Sequence, residues 1–560
     1  MAEGTNFKSE ISNEKSSNGD LTMLRRAQSC SLGEVEVAKR TTTRQTMTQR
    51  GIKSRQAQMI AIGGIIGTGL FVGTGQALAL TGPLNLFLAY AIICFFVYGM
   101  MTTIITVGTY VPLEGSSMAA YASRYVSKSL GFAMGWLYWY ALGIVVAYEI
   151  TAAAIVINYW PNNVHITVWL TTLLVIILGL NLMPVKIYAE SEFWFASLKI
   201  LLIVGLLLLT FVVAVGGGPS GRPIGFLYWY TNHPMNEYLV NGHGGRFAGF
   251  LYAFIFSLFP FVFGPELIVL TSGEMKNPRR NLPRTAKTFI WRLIIFYCLG
   301  ALAVGILCPS DAPGLTSGSD ATASPWAIGI RNAGIRGFDS VVNGGILLSA
   351  WSSGNAYLYM SSRSLYSMAI EGSAPKFFAR TNRWGVPVNS VLATACYGLL
   401  SYLNISSDGG TVFNWFVSLT NNAGVISWIC CCIIFLRFNL ACKAQGITKL
   451  PYQSIIQPYA TWVNLAFFTV ILLLNGFSVF SPGRWSVDSF LTAYIGLPAF
   501  LALYFGHCMV NRNDPWVHSP EEIDMKTGVD EVEAMEHEDA TLRANRNHKP
   551  FWAKLCGILG

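Results

Sequence analysis

Apolar runs of about 18 or more residues recur along the whole chain, each long enough to cross a hydrocarbon core of roughly 30 Å. In such a layer no water satisfies backbone N–H and C=O groups, so a lipid-facing chain must close them within helices or a barrel. The runs predict spans near 57–80, 84–107, 132–158, 164–182, 193–215, 249–271, 289–308, 341–362, 387–403, 412–437, 461–480 and 489–510. The expected fold class is an all-α polytopic membrane protein with about twelve transmembrane helices. Composition agrees: only 12% of residues are charged, about half the share usual in a soluble domain. Residues 1–56 are polar and precede a full-length apolar run, so no cleavable signal peptide is expected.

A net charge of +9 would suit nucleic acid if it were clustered on a soluble face. Here the Lys and Arg residues gather in the loops that would be cytoplasmic if both termini are, which is the positive-inside asymmetry. The richest of these loops carries Lys276, Arg279, Arg280 and Arg284. The expected partner is therefore a lipid bilayer and not nucleic acid. Eleven cysteines form no paired CxxC, and the histidines are scattered, so neither a disulfide framework nor a metal site nor a cofactor is expected.

The chain divides into a polar tail at 1–56 that reads as disordered, a membrane domain at 57–510, and a second polar tail at 511–560. Lys8, Lys15 and Lys39 of the first tail are candidate acceptors for ubiquitin ligase machinery. Two long loops, 216–248 and 309–340, and the sequon beginning at Asn404 are expected outside; the sequon lies too close to a span for ready modification.

Two spans are interrupted. The first contains Gly63, Gly64, Ile66, Gly67, Thr68, Gly69 and Gly73; the second, five spans later, reads Phe259-Pro260-Phe261-Val262-Phe263-Gly264-Pro265-Glu266. Broken helices at matching places in two halves point to the binding site of a carrier. A half-helix starting near Gly67 would turn its free N–H groups and positive dipole end toward a carboxylate, which makes Ile66, Gly67, Thr68 and Gly69 candidate carboxylate ligands. Small-residue helix packing is the bland alternative. Pro260 and Pro265 free upstream carbonyls, so Phe259, Pro260, Phe261 and Val262, with Glu266, are candidates for an ammonium group. Glu266 also has a purely structural reading, as an acceptor for broken backbone.

Three further features are ambiguous by position. Lys199 in the fifth span either snorkels to the surface or is buried, where it would be a proton-coupling candidate. Glu149 in the third span faces either a cavity or the outer surface, and with Glu266 it is a second coupling candidate. The polar runs Ser349–Asn355 and Thr420–Gly424 either line a pathway or bond neighbouring helices.

Several long stretches resemble a known family: Ile62-Gly63-Gly64-Ile65-Ile66-Gly67-Thr68-Gly69-Leu70, Ala189-Glu190-Ser191-Glu192-Phe193-Trp194-Phe195-Ala196-Ser197-Leu198-Lys199-Ile200, Gly273-Glu274-Met275-Lys276-Asn277-Pro278-Arg279-Arg280, and Arg383-Trp384-Gly385-Val386-Pro387. Over roughly residues 50–530 the chain resembles fungal amino-acid permeases of the amino acid–polyamine–organocation superfamily, the yeast amino-acid transporter group. Phe263-Gly264-Pro265-Glu266-Leu267, Gly216-Gly217-Gly218-Pro219 and Arg331-Asn332-Ala333-Gly334-Ile335 make it most similar to the proline-specific permeases. The resemblance implies a LeuT-type fold of two inverted five-helix repeats, proton-coupled uptake and a plasma-membrane location. In related carriers a span-five lysine stands where others bind sodium, and the resemblance assigns Lys199 that place. Thr106 stands where most relatives carry a glutamate, and Phe551-Trp552 is followed by Ala553 instead of cysteine.

The function expected is proton-coupled uptake of a neutral amino acid, L-proline first, with alanine, glycine, 4-aminobutyrate or acidic amino acids as alternatives. A sensor with little transport would keep the same pocket. An enzyme would need a nucleophile–base pair or metal ligands, and neither pattern is present.

Overall fold

Glycine and proline set many helix ends in this chain, and they fall where the apolar runs stop. The computed structural model describes residues 67–112, 117–161, 163–219, 221–231, 233–270, 278–315, 324–335, 337–405, 409–534, 536, 537 and 541. Ile66, Lys8, Lys15, Lys39 and Phe551–Ala553 lie outside them. The principal helices are α1 (Gly69–Thr81), α2 (Pro83–Tyr110), α3 (Met118–Tyr125), α4 (Lys128–Ile157), α5 (Ile166–Leu182), α6 (Val185–Ala214), α7 (His243–Phe256), α8 (Gly264–Leu270), α9 (Pro278–Leu307), α10 (Phe338–Glu371), α11 (Val388–Ile405), α12 (Gly409–Ala444), α13 (Tyr459–Leu474), α14 (Val487–Tyr494) and α15 (Gly496–Val510). No strand occurs among the described residues. Gly82 at φ 86° turns the chain into Pro83, whose missing N–H costs nothing in a first helical turn. Gly337 and Gly372, both left-handed, bracket α10.

Seven stretches are long and apolar enough to cross a membrane, or eight if the pair α14–α15, bent by 46°, is one span. The helices α1, α5 and α13 are apolar but shorter, and α10 is long but rich in serine. All the predicted segments overlap these helices. The protein is thus an all-helical, multi-pass membrane protein.

Burial sorts the helices into an inner and an outer set. Helix α4 is enclosed almost throughout, against α10 and α12. Helix α6 is two-faced. Trp194, Leu201, Leu208 and Phe211 point outward, whereas Ala189, Glu192, Ala196, Lys199, Ile203, Leu206 and Thr210 point inward at helical spacing. An outward face of this apolarity suits lipid, and the inward face brings two charged residues, two turns apart, into the protein.

The interruption expected in the sixth span is present. Helix α7 ends at Phe256, a single tight turn spans Phe259–Phe261, and α8 starts at Gly264. Between them Phe263 takes φ 64°, a conformation that bulky residues rarely adopt. In the first span, Gly69–Gly73 form one widened helical turn that begins at Thr68, and such turns are frequent at functional sites.

Residues 511–534 do not hang free. Arg124 of α3 donates to the carbonyls of Asp524 and Thr527 at 2.7 and 2.8 Å, Tyr110 donates to the Met525 carbonyl at 3.1 Å, and Lys128 pairs with Asp514 at 2.9 Å. Ile523, Met525 and Val532 are buried beneath this strap. A polar composition concealed these anchors, because three apolar residues in a charged stretch give no periodic signal.

Candidate functional site

The start of α1, the α7–α8 break, α4, α10 and α12 converge on one small cavity. Gly67, Gly69, Val145, Glu149, Phe259, Pro260, Val262, Phe263, Tyr357 and Thr420 line it. Its volume, about 10 Å³, is the space for about one water. The glycines are needed here for close approach. A Cβ on Gly69 would lie 2.9 Å from Phe259 Cδ1 and 3.0 Å from Pro260 Cγ, and one on Gly67 would collide with the Glu149 carboxylate. Tyr148, next to that glutamate, packs its ring 4.2 Å from Phe259 and 4.6 Å from Phe413, fixing α4 against the break.

Glu149 settles its own position: it is buried and faces the cavity. Thr68 Oγ1 donates to its Oε2 at 2.7 Å. A carboxyl group thus already sits at the start of α1.

Behind Glu149 lies a second buried ionic group. Lys199 does not snorkel; it is 3% exposed and its Nζ donates to Ser353 Oγ of α10 at 2.8 Å. Glu149 and Glu192 are the two carboxylates whose fields act on it. Glu192 is fully buried and accepts from Ser352 Oγ at 3.1 and 3.3 Å. Buried charges persist only where opposite charge and hydrogen bonds offset their lost hydration. Sequence reasoning missed Glu192 as a site residue. Its signal was present: seven residues before Lys199, it falls on the same face of a helix. Ser352 and Ser353 of Ser349–Asn355 serve this group, so that polar run lies inside the protein as a hydrogen-bonding strip.

The remaining candidates part company. Pro260 lines the cavity, but its carbonyl accepts from Tyr297 Oη at 3.1 Å. Phe261 turns away and packs against Tyr90 and Tyr297, at 5.6 and 4.3 Å between ring centres. Glu266 does not line the cavity either. Its Oε1 accepts from Ser427 Oγ at 3.0 Å, and its buried Oε2 makes no hydrogen bond of good geometry, the Trp428 side chain being the further donor that acts on the carboxyl group. It faces a second cavity of about 40 Å³ on the other side of Phe263. Thr106 is buried and returns its hydroxyl to the Thr102 carbonyl at 2.7 Å, a use internal to α2. Asn404 is buried and donates to Thr151 Oγ1 at 2.9 Å, so its amide serves packing.

Against known proteins, the model of the family described as "Amino acid permease" matches residues 56–517, which takes in both breaks and the charged group. The chain belongs to the amino acid permease family. The permease is 46% identical over 496 residues to a proline-specific permease of Emericella nidulans, covering 88% of its own length and 90% of that protein. It is 42% identical over 506 residues to a proline-specific permease of Saccharomyces cerevisiae, with 88% and 81% covered. A dicarboxylic amino acid permease of the same yeast is 37% identical over 531 residues, with 91% and 86% covered. These relatives are transporters, and the permease is accordingly a multi-pass membrane transporter and not an enzyme.

Proposed function

We propose that the permease takes up a neutral amino acid, L-proline foremost, across the plasma membrane in symport with protons. The observation that supports this reading is the meeting of the start of α1 and the α7–α8 break at one cavity, where Thr68 donates to the Glu149 carboxylate. The substrate carboxylate would take the place at the start of α1 now held by Glu149, with Gly67, Thr68 and Gly69 as its surroundings. Phe259, Pro260 and Val262 form the opposite wall, against which an apolar ring such as that of proline would lie once the cavity, closed here to the size of one water, opens. Phe261 braces the break from outside the cavity, and Glu266 acts from the far side of Phe263. The proline-specific names of two relatives support the substrate. The cavity lining includes no Lys or Arg to pair a second carboxylate, which weighs against an acidic substrate.

Displacement of Glu149 toward Lys199 would couple substrate arrival to the charge of the buried group. Lys199 and Glu149 are therefore the proposed proton-coupling residues, in a LeuT-type frame of twelve spans with both termini cytoplasmic. Labelled proline uptake into cells without other proline carriers, competed by alanine, glycine, 4-aminobutyrate and aspartate, tests the reading. Uptake fastest at acidic external pH, abolished by a protonophore and competed weakly by aspartate, is expected. Counterflow of labelled proline in liposomes separates a transporter from a sensor.

A further inference from the structure

We infer that the cavity facing Glu266 is a separate transit site for the ammonium group of the departing amino acid, with Phe263 as the partition between it and the central cavity. The inference rests on the amino-acid transport reading and extends it to a second site. Phe263 lines both cavities, and no other central residue does. Its backbone is held at φ 64°, and a bulky residue persists there only when its surroundings over-determine it. Those surroundings include Tyr138, whose ring lies 5.8 Å away, edge to face. Tyr138 in turn contacts Ser427 Oγ at 2.7 Å, and Ser427 holds one oxygen of Glu266. The partition and the carboxylate behind it are therefore one linked unit.

The second cavity has the chemistry of a cation acceptor. The Glu266 carboxyl group lines it, with one oxygen that makes no hydrogen bond of good geometry, and Ser364, Ser367 and the exposed Glu371 continue a polar lining to the surface near α3. None of its lining residues is Lys or Arg. A buried carboxylate short of well-aligned donors is costly, and an ammonium group supplies them. A hard metal cation would want six or more oxygens, more than one carboxylate and nearby hydroxyls offer. An amino acid leaving the central cavity past Phe263 would thus pass its ammonium to Glu266 while its carboxylate leaves α1.

The test uses the full-length permease in inside-out vesicles, with a membrane-impermeant thiol reagent and modification read at each site by mass spectrometry. Ser367→Cys reports on the transit cavity and Thr420→Cys on the central one. Proline is expected to slow modification at both positions severalfold, and the ring carboxylic acid lacking the amine to slow it at neither or at the central one alone. In Glu266→Gln, protection at Ser367→Cys should vanish while protection at Thr420→Cys remains, and Glu266→Asp should restore the first. Sodium or potassium without proline should protect neither. Protection at Ser367→Cys that persists in Glu266→Gln, or that a bare cation reproduces, overturns the transit site and leaves the central site standing. Protection at neither position in the otherwise native protein overturns the central site and the inference with it.

Discussion

The start of α1 and the α7–α8 break shape one cavity in different ways. The first uses glycine: Gly67 and Gly69 bring α1 within contact of Glu149 and Phe259, where any side chain would collide. The second uses proline and an aromatic: Pro260 lacks a donor, its carbonyl is taken by Tyr297, and Phe263 is held left-handed. A glycine break creates space for close approach and exposes helix N–H groups. A proline break creates a wall with fixed shape, held by neighbours it cannot do without. The comparison teaches that the two ends of one cavity are built differently: one closes on a carboxyl group and the other is a wall of fixed shape.

The comparison breaks first at Gly67. Gly67→Leu should lower uptake by at least about 100-fold, or about 3 kcal/mol, while delivery to the cell surface stays normal. Uptake near the wild-type rate would mean that close approach at α1 is dispensable. Next comes the charged group behind the glycine break. Lys199→Arg should arrest transport, because guanidinium keeps its proton, whereas Lys199→Ala should leave uptake that no longer follows external pH. If both variants accumulate proline with the native pH profile, the coupling group lies elsewhere. The proline break is sharpened by Gly424 of α12, where a Cβ would collide with Val262. Gly424→Ala should destabilise the permease by about 1–3 kcal/mol, seen as a lower unfolding temperature in detergent, with uptake reduced in proportion. The smallest effect is expected at Tyr297. Tyr297→Phe removes the hydrogen bond to the Pro260 carbonyl and should cost about 1 kcal/mol, about fivefold in kcat/KM for proline. An unchanged value would mean that the break holds its shape without that anchor.

Much of this site was legible in advance, but unevenly. The break at Pro260 could be read because helix-breaking residues act on their own backbone, whereas the one expected before Gly67 lies outside the described residues. Glu149 and Lys199 were visible as charges in apolar runs, but their surroundings were not. Their partners come from helices far along the chain: Thr68 meets Glu149 across 81 residues, and Lys199 meets Ser353 across 154. The fate of Glu266 was harder still. One helical turn decides whether a carboxylate two residues past a break faces the central cavity or the far side of Phe263, and irregular backbone carries no period from which to count that turn. The docked strap at 511–534 escaped for another reason: it is held largely through backbone carbonyls, which every sequence possesses.

By itself the sequence determined a multi-pass helical membrane protein, the position of the interruption at Pro260 and membership of the permease family, since apolar length and proline act locally. The tertiary structure alone decided that Glu149 holds the start of α1, that Ser352 and Ser353 of α10 meet Glu192 and Lys199, and that Phe263 divides two cavities. Buried charges and irregular segments take their roles from whichever helices cross beside them, and crossing is a property of the packed bundle.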